Sequence, residues 1–137
     1  MKRIAFNHNS KLLQDIVSVH AENNNTQQII DNLYGRFSSD ANSNHHIYAK
    51  SKLVNFRYIP KGYIIPSGGY IRLIDMRTPF DAKLYSGGFI TSDNGYSVVV
   101  RAARSNAMIT FDKQKYSIFL QLTMDDQLRA EISALES

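Results

Sequence analysis

The sequence predicts an α+β fold: a small antiparallel β-barrel or curled sheet of five to six strands over about residues 52–122, flanked by two N-terminal helices and one C-terminal helix. Three observations carry this reading. Apolar residues recur at helical spacing as far as Phe37. After Lys50 the pattern changes to period two, with Gly, Pro, Asn and Asp punctuating it every eight to twelve residues. The length, 137 residues with 43% apolar side chains, suits one core. The chain therefore reads as a single domain, 1–137: a helical arm (1–37), a polar loop (38–49), a β module (50–122) and a final helix (123–137).

Ser10 precedes a stripe of Leu12, Leu13, Ile16, Val17 and His20, the spacing of one helix face. Asn23-Asn24-Asn25 should break that helix, because Asn side chains compete for their own backbone. Asn25 or Thr26 then serves as cap for a second stripe, Ile29, Ile30, Leu33, Tyr34 and Phe37. From Ser38 to His46 the chain is polar without periodicity, and reads as a loop.

In the β module Val54, Phe56 and Tyr58 alternate with Asn55 and Arg57. Tyr63-Ile64-Ile65 ends at Pro66-Ser67-Gly68-Gly69, and Tyr70 to Met76 places Ile71 and Leu73 opposite Arg72 and Ile74. Leu84 to Thr91 is interrupted by Gly87-Gly88, a pair expected at a bulge, a bend or a close backbone approach. Asn94-Gly95 predicts a type I′ turn pairing Phe89–Thr91 with Tyr96–Arg101. Softer turns at Ser105-Asn106 and Asp112-Lys113-Gln114 delimit Met108–Phe111 and Tyr116–Leu122. Thr123, followed by Asp125 and Asp126, opens the last helix, with Met124, Leu128, Ile132 and Leu135 along one face.

The chemistry is marked more by what is missing. Without Cys there are no disulfides, thiolate metal sites or thiol nucleophiles. His8, His20, His45 and His46 have no ligand spacing with nearby carboxylates, so no metal is expected. Ser67-Gly68-Gly69 and Ser86-Gly87-Gly88 resemble anion-binding loops but lack the following helix and Lys of a nucleotide loop. Turn and bulge geometry accounts for both. The expectation is a non-enzyme with no catalytic residues and no cofactor. No apolar run follows Lys2-Arg3, and none reaches the roughly 18 residues of a membrane span. A cytoplasmic or nuclear location is expected, or a virion or infected host cell for a viral protein.

What remains is an interleaving of cations and aromatics. From Lys50 to Gln121 eleven basic residues face four acidic ones, a balance of +7, whereas Leu122–Ser137 carries −3. Phe56-Arg57-Tyr58, Pro60-Lys61-Gly62-Tyr63 and Tyr70-Ile71-Arg72 sit within that basic middle. Small β modules that bind single strands use aromatic rings for bases and Lys or Arg for phosphates. The sequence thus points to an accessory nucleic-acid-binding factor, associated with transcription or replication. In it Arg57, Lys61, Arg72, Arg101 and Arg104 contact phosphate, and Tyr58, Tyr63 and Tyr70 stack on bases. Alternation places Arg57 and Arg72 on the solvated faces of their strands. The alternative is a protein-interaction adaptor or structural subunit of a larger, for instance viral, assembly, whose partner docks on the N-terminal helices or a sheet edge. The plainest account of the same residues is tyrosines that close a core and an ordinary charged surface.

Overall fold

The computed structural model describes residues 22–37 and 42–123. They form two helices and one six-stranded antiparallel sheet. Helix α1 occupies residues 22–35, and α2 spans Asn42–Lys52. The strands are β1 (Phe56–Ile59), β2 (Tyr70–Asp75), β3 (Leu84–Asp93), β4 (Ser97–Arg101), β5 (Met108–Asp112) and β6 (Tyr116–Gln121), in the spatial order β1-β6-β2-β3-β4-β5. The expected first helix (Leu12–His20) and last helix (from Thr123) lie outside the described residues.

The sheet is not closed into a barrel, and β1 and β5 are its edges. It is nevertheless strongly curled. Asp112 and Tyr116 are joined by the turn at 113–115, a link that reaches at most about 14 Å. In a flat sheet β5 and β6, with β4, β3 and β2 between them, would stand about 19 Å apart. The long β3 supplies the bend. Its pairing with β2 shifts between Ile71 and Arg72, so that Gly88 faces Ile71, Ser86 faces Arg72, and Gly87 is the extra residue of a bulge. Gly88 adopts φ +135°, and a Cβ there would run into the carbonyl oxygen of Arg101. The Gly pair thus makes both the bulge and the close approach that its sequence predicts.

The curl leaves the β1-β6-β2 region covered on both faces. On one side Ile71, Leu73, Ile90, Val98, Val100 and Ile118 pack with Ile59 and Ile65. On the other, Ile30, Leu33 and Tyr34 of α1 and Ala49 of α2 meet Phe56, Ile74 and Phe119. This double burial explains the runs in which alternation fails, such as Ser117-Ile118-Phe119, all buried.

Three expectations about local structure are corrected. Asn23-Asn24-Asn25 does not break the helix but lies inside α1, with Thr26 buried mid-helix rather than capping it. Asn23 gains tertiary partners instead: its amide donates to Asn55 Oδ1 and its oxygen accepts the Asn55 N–H, both at 2.9 Å. That exchange fixes Asn55, whose φ of 63° turns the chain into β1. The polar stretch around His45 is helix rather than loop. Asn42 holds it from one end, donating to Pro79 O at 2.7 Å and accepting the Ala82 N–H at 2.9 Å, while His46 stacks on Tyr34 with ring centroids 5.0 Å apart. Tyr63-Ile64-Ile65 is not a strand; Ile65 is buried from within a loop whose N–H donates to Asp93 Oδ2.

The β3–β4 hairpin forms where Asn94-Gly95 predicts it, with Phe89 opposite Arg101 and Ile90 opposite Val100. Its turn is not type I′, which needs positive φ at both central residues; here Gly95 is positive (+92°) and Asn94 is not. Side chains take the turn's backbone donors: Asp93 Oδ1 accepts from Gly95 N, and Asn94 Oδ1 from Tyr96 N and Ser97 N.

Candidate functional site

The register brings four of the eight expected binding residues to one place. Tyr70 of β2 pairs with Phe89 of β3, which pairs with Arg101 of β4, so the three form one row across the sheet. Two residues along β2, Arg72 occupies the same face as Tyr70. Their contacts are continuous. The Arg72 guanidinium lies 5.8 Å from the Tyr70 ring centroid and 5.3 Å from that of Phe56. Tyr70 meets Phe89 edge-on at 5.3 Å, and Arg101 lies 5.6 Å from Phe89. Each cation sits within the roughly 6 Å at which a ring quadrupole attracts it.

Beside this ladder is a cavity of about 430 Å³, walled by Tyr70, Arg72, Ser86, Gly87, Gly88 and Arg104. Arg104 reaches it from the exposed turn after β4. A smaller hollow of about 230 Å³ adjoins Tyr70 and Phe89 and has Gly68 and Gly69 in its wall.

Of the nine other basic side chains among the described residues, five pair with carboxylates, and Arg36, Lys52, Lys61 and Lys115 do not. Lys50 pairs with Asp31, Arg57 with Glu22, Arg77 with Asp75, Lys83 with Asp81 and Lys113 with Asp93. The bidentate Arg77 guanidinium holds the Asp75 carboxyl below its usual range, and the Lys50 ammonium together with His46 does the same for Asp31. Among the described residues, no carboxylate pairs with Arg72, Arg101 or Arg104. Arg72 donates through Nη1 to Lys52 O at 3.1 Å, and Arg101 through Nη1 to Asn106 Oδ1 at 3.0 Å, so their charge is oriented but not neutralised.

Of the other four expected residues, Tyr58 shares the face of Arg72 two strands away, and Arg57, Lys61 and Tyr63 lie elsewhere. Arg57 opposes Leu120, which opposes Ile71, whereas Arg72 opposes Phe119, which opposes Tyr58. Residues opposite one another share a face, so Arg57 and Arg72 project to opposite sides of the sheet. Neither side is the simple solvated face that alternation suggests, because both carry a core. Arg57 lies 5.6 Å from the ring of Tyr63 and 3.5 Å from Glu22. Lys61 donates to Gln114 O. Tyr58 is half-buried, edge-on to Phe119 at 5.6 Å.

Phe89 belongs to the site without having been singled out from the sequence, where Phe56 stands only within the cation–aromatic interleaving and Ser86-Gly87-Gly88 is read as turn or bulge geometry. The Gly pair was the available signal: a bulge reverses the alternation of whatever follows it, which turns Phe89 toward Tyr70. The two described histidines go to separate carboxylates, His45 to Asp81 at 2.7 Å and His46 to Asp31 at 2.8 Å, while His8 and His20 lie outside the described residues. Among the described residues no three His, Asp or Glu side chains gather to hold a metal ion, and no helix is long and apolar enough to cross a membrane.

No family model, curated protein or solved structure matches this chain.

Proposed function

We propose that this chain is a non-enzymatic nucleic-acid-binding module that takes an unpaired strand along the face shared by Tyr70, Arg72, Phe89, Arg101 and Arg104. The observation that carries the reading is the cross-strand row of rings flanked by arginines without carboxylate partners among the described residues. Aromatic faces accept any unpaired base, and such stacking contributes about 1–3 kcal/mol per base. Guanidiniums next to the rings supply phosphate contacts, which dominate affinity and release counterions. Phe89 is 37% exposed, so its ring is open to a ligand.

The test is fluorescence anisotropy with a labelled 20-mer single strand and the matching duplex, between 50 and 300 mM salt. The single strand binds more tightly than the duplex. Arg72→Gln and Arg101→Gln each flatten the slope of log K against log salt by about 0.7. Arg57→Gln, on the opposite face and paired with Glu22, leaves the slope unchanged. No binding at the lowest salt, a preference for duplex, or equal effects of all three variants overturns the reading.

One observation favours a protein partner instead. β5 is an open edge of the sheet, and its Met108 and Ile109 are 58% and 38% exposed. Such an edge accepts an added strand. A stable complex that survives nuclease, from a chain that fails the anisotropy test, selects this second reading.

A further inference from the structure

We infer that the cavity beside the Gly87 bulge is a discrete seat for one nucleotide, with the phosphate on Arg72 and Arg104 and the base against Tyr70. The inference rests on the nucleic-acid reading and deepens it, from a surface that strands cross to a pocket that holds a single unit.

Size and polarity come first. The cavity, about 430 Å³, falls in the range of roughly 300–1,000 Å³ typical of small-ligand sites. Two arginines, Arg72 and Arg104, and Ser86 are among the residues that line it. Guanidinium forks match the oxygens of phosphate and carboxylate.

The second observation is an unfilled donor. Arg72 Nε is shielded from solvent and has no hydrogen-bond partner, although Nη1 of the same group is satisfied by Lys52 O. A buried donor left unpaired costs about 1–3 kcal/mol. Such a group calls for a physical reason; with under 1 Å² accessible, Nε meets an acceptor brought by a ligand only when the guanidinium turns toward the cavity. A carboxylate elsewhere in the described chain does not fill this role, since none pairs with Arg72.

The third is the backbone. Gly87 is the extra residue of the bulge and stands outside the regular pairing of β2 with β3. A side chain is excluded at both glycines. At 87 a Cβ would stand 2.7 Å from Leu73 Cδ1 and 2.9 Å from Ile71 O, and at 88 it would strike the Arg101 carbonyl. The bulge therefore lets bare backbone form one wall while Tyr70 and two arginines form the others. A tetrahedral phosphate offers enough acceptors for both guanidiniums and the serine hydroxyl together, and the ring of Tyr70 offers a plane to its base. Stacking on one ring with no base-edge reader among the walls makes the seat indifferent to base identity.

The experiment titrates the full chain with the four nucleoside monophosphates, the corresponding nucleosides, inorganic phosphate and N-acetylglutamate. Affinities are read by calorimetry, and the Arg72 side-chain ¹⁵Nε–H resonance is followed by NMR. All four monophosphates bind with affinities within about threefold of one another, at least tenfold tighter than phosphate or nucleoside, and shift the Arg72 Nε–H signal. Arg104→Gln, an exposed turn substitution compatible with folding, weakens the monophosphates at least fivefold. A 20-mer that binds while the monophosphates leave the Arg72 signal unmoved up to 10 mM removes the seat and leaves the strand-binding reading intact. Silence from both the monophosphates and the 20-mer removes both. Binding of N-acetylglutamate as tight as that of the monophosphates overturns the nucleotide assignment in favour of an acidic peptide.

Discussion

Lys113→Met severs the most deeply buried charge pair in the described structure, and its effect can be worked from the geometry. Lys113 Nζ lies 2.6 Å from Asp93 Oδ2, with side chains 3% and 0% exposed. The same ammonium donates to Tyr63 O at 2.9 Å, and Asp93 also accepts the N–H groups of Ile65 and Gly95, each at 2.8 Å. Three segments meet there: the β3–β4 hairpin, the turn between β5 and β6, and the loop that carries Tyr63 and Ile65. Removing the ammonium leaves a buried carboxylate without its cation and a carbonyl without its donor, a loss of about 3–5 kcal/mol. For a domain of this size that lowers Tm by about 12–20 °C. The assay is urea unfolding at pH 7 followed by far-UV circular dichroism, since the chain has no Trp. The midpoint falls with an unchanged m-value. Asp93→Asn in the same background recovers part of the loss, because the amide oxygen still accepts from backbone N–H while the unpaired charge is gone. A loss below about 1 kcal/mol, the range of exposed pairs, would falsify the reasoning that this pair is desolvated and locks the curl.

The same site sets a pH dependence. Burial works against the charged Asp93 carboxylate, but the N–H groups of Ile65 and Gly95 and the Lys113 ammonium outweigh it and lower its pKa below the ordinary 3.8. A carboxyl depressed by folding stabilises fully above its unfolded value and loses that contribution as pH falls through the folded one. Asp93→Asn thus shows its whole penalty at pH 7, and its stability declines less than the parent's as pH drops below about 4; parallel acid limbs in urea titrations refute this. Gly88→Ala forces a Cβ into the Arg101 carbonyl at φ +135° and lowers unfolding free energy by at least about 2 kcal/mol, with a denaturation midpoint near the parent's as the contrary result.

Much of the β module is legible because its signals are local. Gly87-Gly88 marks a bulge and Asn94-Gly95 a hairpin tip, since few other residues tolerate the positive φ found at Gly88 and Gly95. Ile71 and Leu73 opposite Arg72 and Ile74 follow from the period of a strand alone. The helices are less legible. Asn23 reads as a helix breaker by propensity and Asn42 as part of a polar loop, and partners 32 and 40 residues away, Asn55 and Ala82, override both. The type of turn at Asn94 was likewise decided by hydrogen bonds from Asp93 and Asn94 side chains that the Asn-Gly signal does not contain.

The candidate site divides in the same way. Which residues are cationic or aromatic, and that they crowd the stretch from Phe56 to Arg104, is present in the order of amino acids. That Tyr70, Arg72, Arg101 and Arg104 meet while Arg57, Lys61 and Tyr63 do not join them depends on register across β2, β3, β4 and β6. Strand periodicity assigns a side chain to one of two faces of its own strand, so the sequence by itself determined the elements of the sheet and the alternation within each. Only the tertiary structure decided which faces of different strands coincide, because pairing between distant segments and the curl at Gly87 are set by packing against both cores at once.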